Sequence, residues 1–359
     1  MWSFDWVTIS QQHQAADTIG KNLCLWICSQ TGKVLSEGVG FLSHEGSHST
    51  SVSIRSHNGF IEWSGNPSRW GRPDNLFGYT SMRDCLRLIN SHMASYGLPP
   101  FTISQQSKVA RFKGRSESLH QTGAVLTRVD LNTNFATGDA ASARTYLRAA
   151  SSAVYRGKQG NSTGSTTRWG EAKNTQITCY DKGQEIVDHT KRISQNLIGD
   201  DRLEAIRAKD YRKRVADFCL SQGVIRWEVR LGRQALRQKG LRSLDDWSDA
   251  RAIEYAQERL DNMRVGMTTG LDRTFEAFIA AGFPERRAAT LSGVVSRWYM
   301  GEPTTVGVSR ATWFRYKKDI QDVLGFDLRT PPNVEVINTR VRNVELVPLE
   351  IPNWYQRAA

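Results

Sequence analysis

The sequence predicts an α+β fold: a mainly antiparallel central sheet with helices on one face, followed by a helical C-terminal domain with a helix-turn-helix. An Asn-Gly step lies between two β-prone runs, later runs alternate apolar and polar residues, and beyond Gly232 helical periodicity takes over. With 359 residues the chain has room for two domains, placed at 1–265 and 266–359.

The elements follow in order. SVSIRSH and GFIEWSG flank Asn58-Gly59, and both turn residues tolerate positive φ, so the pair predicts a hairpin. The turn-rich NPSRWGRPDNLFG comes next. TSMRDCLRLINSHMASYG then repeats apolar Met82, Cys85, Leu86, Ile89 and Met93 at helical spacing and stops on glycine. GAVLTRVDLNTNF reads as a strand with Val125, Thr127, Val129 and Leu131 on one face and Arg128, Asp130 and Asn132 on the other. Thr137-Gly138-Asp139 leads into the helical ASARTYLRAASSAVYR, and GKQGNSTGSTTRWGEAKN reads as a loop or ribbon. In the strand TQITCYD, Ile177 and Cys179 point inward while Gln176, Thr178 and Tyr180 share the opposite face. A polar, mostly helical stretch runs from Gln184 to about Gln222. VIRWEVRL then sets Ile225, Trp227, Val229 and Leu231 against Arg226, Glu228 and Arg230. Together these strands predict a sheet with one face covered and the other polar and open.

Lys and Arg number 48 against 36 Asp and Glu, a formal charge of +12. That favours polyanionic partners, nucleic acid ahead of an anionic membrane. No apolar run approaches the roughly 18 to 20 residues of a spanning helix, and MWSFDWVTISQQHQ has no secretion pattern, so no membrane is expected and the cytoplasm is the expected compartment. Cys24, Cys28, Cys85, Cys179 and Cys219 are too sparse for a disulfide framework and lack a second pair at zinc spacing, which predicts buried thiols.

Asp130, Tyr180 and Glu228 each sit on the polar side of a strand. Two carboxylates on neighbouring strands suit a hard divalent cation, Mg²⁺ or Mn²⁺, and such an ion neutralises charge building on a phosphodiester. A tyrosine phenol, with a pKa near about 10, needs a cation or base to become a nucleophile. Lys182, two residues on, could supply that charge. The same pattern also fits cross-strand ion pairs and an ordinary sheet tyrosine.

GNPSRWGRPDNLFG (65–78), TRVDLNTNF (127–135), TCYDKGQE (178–185), IRWEVRLGRQALRQKGLRSL (225–244) and ELVPLEIPNWY (345–355) occur in this order. As a set they resemble the replication initiators of filamentous phages, the gene II protein family of rolling-circle nickases. Tyr-x-Lys-x-x-Glu between the Arg-x-Asp and Arg-x-Glu strands is also similar to the initiators of some rolling-circle plasmids. The resemblance implies that Tyr180 attacks a DNA phosphate, leaving a 5′-phosphotyrosine and a free 3′-hydroxyl, and that the displaced strand is later rejoined. It implies Asp130 and Glu228 as metal ligands with Glu62 as a third, Lys182 as the assisting cation and Glu185 as a supporting residue. The His-hydrophobic-His pair of a related nuclease superfamily is missing, because no two of the 7 histidines are separated by one residue. The implied partners are double-stranded and single-stranded origin DNA, a host helicase and a polymerase, with a possible homodimer in the host bacterial cytoplasm. No GxxxxGK followed by Ser or Thr occurs, which argues against an intrinsic motor.

Residues 284–323 divide into two helical patterns around GEPTTVG. The second opens on Ser309, a good N-cap, and carries Arg310, Trp313, Arg315, Tyr316, Lys317 and Lys318, so the pair reads as a helix-turn-helix. Arg310 and Arg315 are candidates for base or phosphate contacts and Lys317 and Lys318 for phosphates. Arg128, Arg226 and Arg230 on the sheet, and the basic stretch at Arg111, Lys113 and Arg115, are further candidates. NVELVPLEIPNWYQ reads as an edge strand or an extended strap. Two other functions fit the same residues: a non-catalytic DNA-binding regulator and a metal-dependent nuclease that activates water.

Overall fold

A computed structural model describes residues 1–13, 16–46, 48, 50–103, 107–112, 116–121, 123–151, 153–156, 158–163, 165–196, 208–263, 271–299, 301–305, 307–325, 327–329, 344 and 346–356. In chain order the strands are β1 (Trp2–Gln12), β2 (Leu23–Ile27), β3 (Val34–Val39), β4 (Leu42–Gly46), β5 (Thr50–His57), β6 (Phe60–Gly65), β7 (Ser107–Phe112), β8 (Ser116–Gln121), β9 (Val125–Ala136), β10 (Val154–Tyr155), β11 (Lys158–Gln159), β12 (Asn161–Thr163), β13 (Thr166–Gly170), β14 (Thr175–Asp181), β15 (Val224–Gly232) and β16 (Val347–Pro348). The helices are α1 (Met82–Ser95), α2 (Ala140–Ser151), α3 (Lys182–Asn196), α4 (Lys209–Gln222), α5 (Arg233–Gln238), α6 (Asp249–Asp261), α7 (Leu271–Ala280), α8 (Glu285–Tyr299) and α9 (Arg310–Leu324).

The large sheet runs β12-β13-β14-β15-β9-β1-β6-β5-β4, antiparallel throughout, and β16 pairs with the far end of β9. The predicted hairpin is β5–β6, its turn held by Asn58 at φ 51° and Gly59 at φ 69°. The sequence reading assigns no element to the N-terminus, yet β1 lies at the centre of the sheet. Its alternation slips: Phe4, Val7 and Ile9 are all fully buried, a spacing that one strict period of two does not allow. The register against β9 shifts between Phe4 and Trp6, a β-bulge that leaves Asp5 as the extra residue. A second shift between Thr8 and Ile9 skips Thr127. Leu126, not Val125, therefore joins Val129 and Leu131 in the core, which corrects the face assigned to the start of β9.

One face of the sheet packs against α1 and α6, through Met82, Cys85, Ile89, Met93, Ala252 and Tyr255, and against α2 through Ala143, Tyr146 and Leu147. The opposite face is not left open. Ile186 of α3 and Val215, Ala216 and Cys219 of α4 cover Val224 and Ala136, joined by Leu76, Phe77, Leu349 and Tyr355. The expectation of helices on one face alone is thus corrected: the polar stretch 184–222 carries its own apolar stripe, and that stripe needs burial. Gly183 allows the approach, since a Cβ there would stand 2.8 Å from Leu220 Cδ2 and 3.1 Å from its backbone nitrogen.

Helices α7, α8 and α9 build a separate core of Phe278, Leu291, Val294, Val295, Trp298, Ile320, Leu324 and Leu328. The tail does not stay with them: Val344, Leu349 and Tyr355 pack on the sheet. Cys85, Cys179 and Cys219 are buried as expected, but Cys24 is exposed and Cys28 partly so, on a β2–β3 hairpin that also exposes Leu25, Trp26 and Ile27. Among the described residues no helix is long and apolar enough to cross a membrane. Lys113 and Arg115 lie outside the described residues.

Candidate active site

The stretch TCYDKGQE is a strand running straight into a helix. Asp181 ends β14, and its Oδ1 accepts the backbone N–H of Gln184 at 2.9 Å, capping α3. Tyr180 and Lys182 are thereby fixed on either side of one strand-to-helix junction. β14 pairs with β15 so that Thr178 lies opposite Glu228 and Tyr180 opposite Arg226. Tyr180 Oη reaches diagonally and donates to Glu228 Oε1 at 2.6 Å. Lys182 Nζ stands 5.9 Å from the centre of the Tyr180 ring, donates to Glu185 Oε2 at 2.6 Å and to Asn75 Oδ1 at 2.8 Å. The Lys182 side chain is only 1% exposed.

The bulge in β1 turns Asp5 into this site. Asp5 Oδ1 accepts from Asn75 Nδ2 at 2.8 Å and Asn66 Nδ2 at 3.0 Å, with Arg226 Nη1 at 3.6 Å. Among the described residues its Oδ2 makes no hydrogen bond. Burial, and then the Asp5 charge, lift the Glu228 pKa to about 7, with Arg226 opposing. Burial and the Glu228 carboxylate push the Tyr180 phenol well above its ordinary value. Burial works against the Glu185 charge, but the Lys182 ammonium outweighs it and its pKa falls.

Of the residues singled out in the sequence, Tyr180, Glu228, Lys182 and Glu185 gather here. Asp130 is on the same face of the adjacent strand, one diagonal from Glu228, since Arg230 pairs with Asp130 and Glu228 with Asn132. Both its oxygens are engaged: Arg128 Nε reaches Oδ1 at 2.9 Å, and Arg128 Nη2 and Arg230 Nε reach Oδ2 at 2.5 and 3.3 Å. Glu62 is remote. It pairs with Ser10, seven residues along β1 from the Ser3 that faces Asn132, roughly 20 Å at the usual strand rise. It is bound to Arg55 at 2.7 Å instead. The predicted Asp130, Glu228 and Glu62 trio is therefore not assembled, and among the described residues no group of three His, Cys, Asp or Glu is disposed to hold a metal ion.

The basic residues divide as well. Arg226 is fully buried, its Nε donating to Asn134 Oδ1 at 2.9 Å and its Nη2 to the carbonyls of Asn75 and Leu76, so it serves the interior. Arg128 lies over the Trp6 ring at 4.6 Å and is partly exposed, as is Arg230. On α9, Ser309 caps the helix by accepting from Thr312 N. Arg310, Phe314, Arg315 and Lys318 are exposed together, whereas Lys317 turns inward to Asp327 at 3.5 Å. The short turn expected of a helix-turn-helix lies between α7 and α8, with Gly282 at φ 85°, and not between α8 and α9, whose bounds at Tyr299 and Arg310 are further apart in sequence.

Sequence reasoning missed Asp5, Asn75 and Tyr355. Only the first left a local trace, the slipped period of β1.

A strand tyrosine is thus hydrogen-bonded to a carboxylate, with a lysine beside its ring, within an antiparallel sheet. The chain belongs to the phage family described as replication-associated protein (gene II protein), N-terminal, whose model matches residues 4–250. It is similar to the replication-associated gene II protein of Escherichia phage If1, 26% identical over 321 residues that span 85% of this chain and 97% of that protein. The resemblance to filamentous-phage replication proteins thus holds over most of the chain. No solved structure matches it.

Proposed function

We propose that the protein initiates rolling-circle replication by nicking one strand of an origin through Tyr180. The observation that carries this reading is the 2.6 Å hydrogen bond from Tyr180 Oη to Glu228, beside a buried Lys182, in a member of a replication-protein family. Glu228 takes the phenolic proton and Tyr180 Oη bonds to phosphorus. The bond to the 3′-oxygen breaks, and that oxygen takes up a proton, which Glu228 can return. The product is a 5′-phosphotyrosine and a free 3′-hydroxyl, and because the ester bond is conserved, rejoining needs no nucleotide cofactor. Lys182 stabilises the developing phenolate and the phosphate charge.

A Mg²⁺ or Mn²⁺ ion belongs to the proposal in altered form. Glu228, with the unbonded oxygen of Asp5 beside it, is what the protein offers such an ion, which when bound would neutralise phosphate charge. The exposed Arg310, Arg315 and Lys318 face of α9 is proposed to grip duplex DNA, and Arg128 and Arg230 the strand entering the sheet. Host helicase and polymerase would act on the opened strand.

The test is incubation with supercoiled origin DNA and Mg²⁺, with peptide mapping of any adduct that survives denaturation. An adduct on Tyr180 that disappears in Tyr180→Phe supports the reading. Binding without nicking would leave a regulator, and a Tyr180→Phe protein that still cuts would leave a water-activating nuclease.

A further inference from the structure

We infer that Tyr355, in the C-terminal strap, is a positioning residue that sets the catalytic centre through Asn75. The Tyr355 hydroxyl donates to Asp74 Oδ1 at 2.6 Å and accepts from the backbone N–H of Phe77 at 3.1 Å and from Arg72 Nη2 at 3.0 Å. One side chain thus fixes the loop on both flanks of Asn75. Asp74 Oδ1 also accepts the Leu76 N–H at 2.8 Å, tightening the same turn.

Inward from that turn, Asn75 is the link between two functional groups. Its Oδ1 receives Lys182 Nζ and its Nδ2 donates to Asp5, each at 2.8 Å. Its carbonyl and that of Leu76 take the buried Arg226 guanidinium. Residues 72–77 otherwise form no helix or strand, so side-chain bonds do the work of a backbone ladder.

The strap has independent anchors. Leu349 N donates to Asn134 O at 3.0 Å beside β16. Trp354 packs edge-on to Tyr211 and Phe218, under the Arg214 guanidinium at 4.3 Å. Trp354 holds the strap to α4, whereas the Tyr355 hydroxyl, together with the Gln356 carbonyl that accepts from Arg72 Nη2, reaches the loop that carries Asn75. A purely space-filling tyrosine would need its ring against Phe77 and nothing from its hydroxyl.

The inference rests on the reading of Tyr180 and Lys182 as the reacting pair, and it is tested on the full chain. Tyr355→Phe keeps the ring and removes the hydroxyl. It is expected to slow formation of the covalent adduct on a suicide oligonucleotide roughly tenfold to a hundredfold, the range that a small misplacement costs. Oligonucleotide Kd should stay unchanged. Asn75→Ala should show the same loss, and the double variant should be no slower than Asn75→Ala alone. Trp354→Ala should lower the melting temperature and leave the rate per folded molecule intact. Full speed in Tyr355→Phe, multiplied losses in the double variant, or equal slowing by Trp354→Ala would overturn the inference. If the unaltered protein forms no adduct, the reading of Tyr180 falls separately. Amide exchange at residues 74–77 then decides for the strap: faster exchange in Tyr355→Phe supports it, and unchanged exchange refutes it.

Discussion

Replacing Arg226 by methionine should cost about 3 kcal/mol of stability and leave DNA affinity of the folded protein nearly untouched. The side chain is fully buried, donates to Asn134 and to the carbonyls of Asn75 and Leu76, and is the cation nearest Asp5 at 3.6 Å. Removing one partner of a buried ion pair costs about 3 to 5 kcal/mol, because the remaining charge keeps its desolvation penalty. Asp5 is 14% exposed in its side chain and retains three asparagine amides, which argues for the lower end. Set against a total of about 5 to 15 kcal/mol, that loss is large. In urea, with a slope near about 2 kcal/mol per molar, the midpoint should fall by roughly 1.5 M. Asp5→Asn added to Arg226→Met should recover much of the loss, since it removes the stranded charge. A midpoint shift worth less than about 1 kcal/mol would refute the buried-pair account, whose threshold is the ordinary surface range. A large loss of DNA binding by the folded fraction would instead make Arg226 a DNA contact.

Three more outcomes are expected. Glu228 holds its proton up to about pH 7 in the fold against 4.5 in the free chain, so the stability linked to that proton is present below 4.5 and lost as pH rises through 7. Melting curves should therefore show Glu228→Gln gaining on the parent protein across that window, and a difference flat with pH would contradict it. Arg310→Ala with Arg315→Ala should weaken duplex binding and lower the slope of log K against log salt by about 2, whereas Lys317→Ala, which breaks the Asp327 pair, should lower stability and leave the slope alone. Gly183→Ala should cost about 1 to 3 kcal/mol by thermal unfolding, because its Cβ would meet Leu220; an unchanged melting temperature would mean that α3 and α4 separate freely.

What could be read in the sequence was local. The β5–β6 hairpin announces itself by Asn58-Gly59, α1 by its three-and-four spacing, and β14 and β15 by clean alternation, which already put Tyr180 and Glu228 on one face. Bulges defeat that logic: at Asp5 and again beside Thr127 one extra residue reverses which side chains face the core. The covering of the polar face by α3 and α4 was hidden because their apolar stripes lie within a stretch dominated by charge. Asn75 sits in a turn-rich segment with no period, and the Tyr355 that braces its loop lies 278 residues from Phe77, too far for any local pattern to reveal. The distance of Glu62 was hidden for a different reason. Strand parity tells which face a carboxylate occupies but not how far along the sheet, and Glu62 shares a face with Glu228 without sharing a neighbourhood.

The central position of β1 has a consequence for how the enzyme comes into being. β1 is clasped by β6 on one side and β9 on the other, and the site also needs β14 and β15. Asp5 must wait on the ribosome for more than two hundred residues before Glu228 exists to meet it. Such long-range closure makes for slow folding. Under the proposed mechanism it also means that a chain ending short of Glu228 holds Tyr180 without the carboxylate that would take its proton.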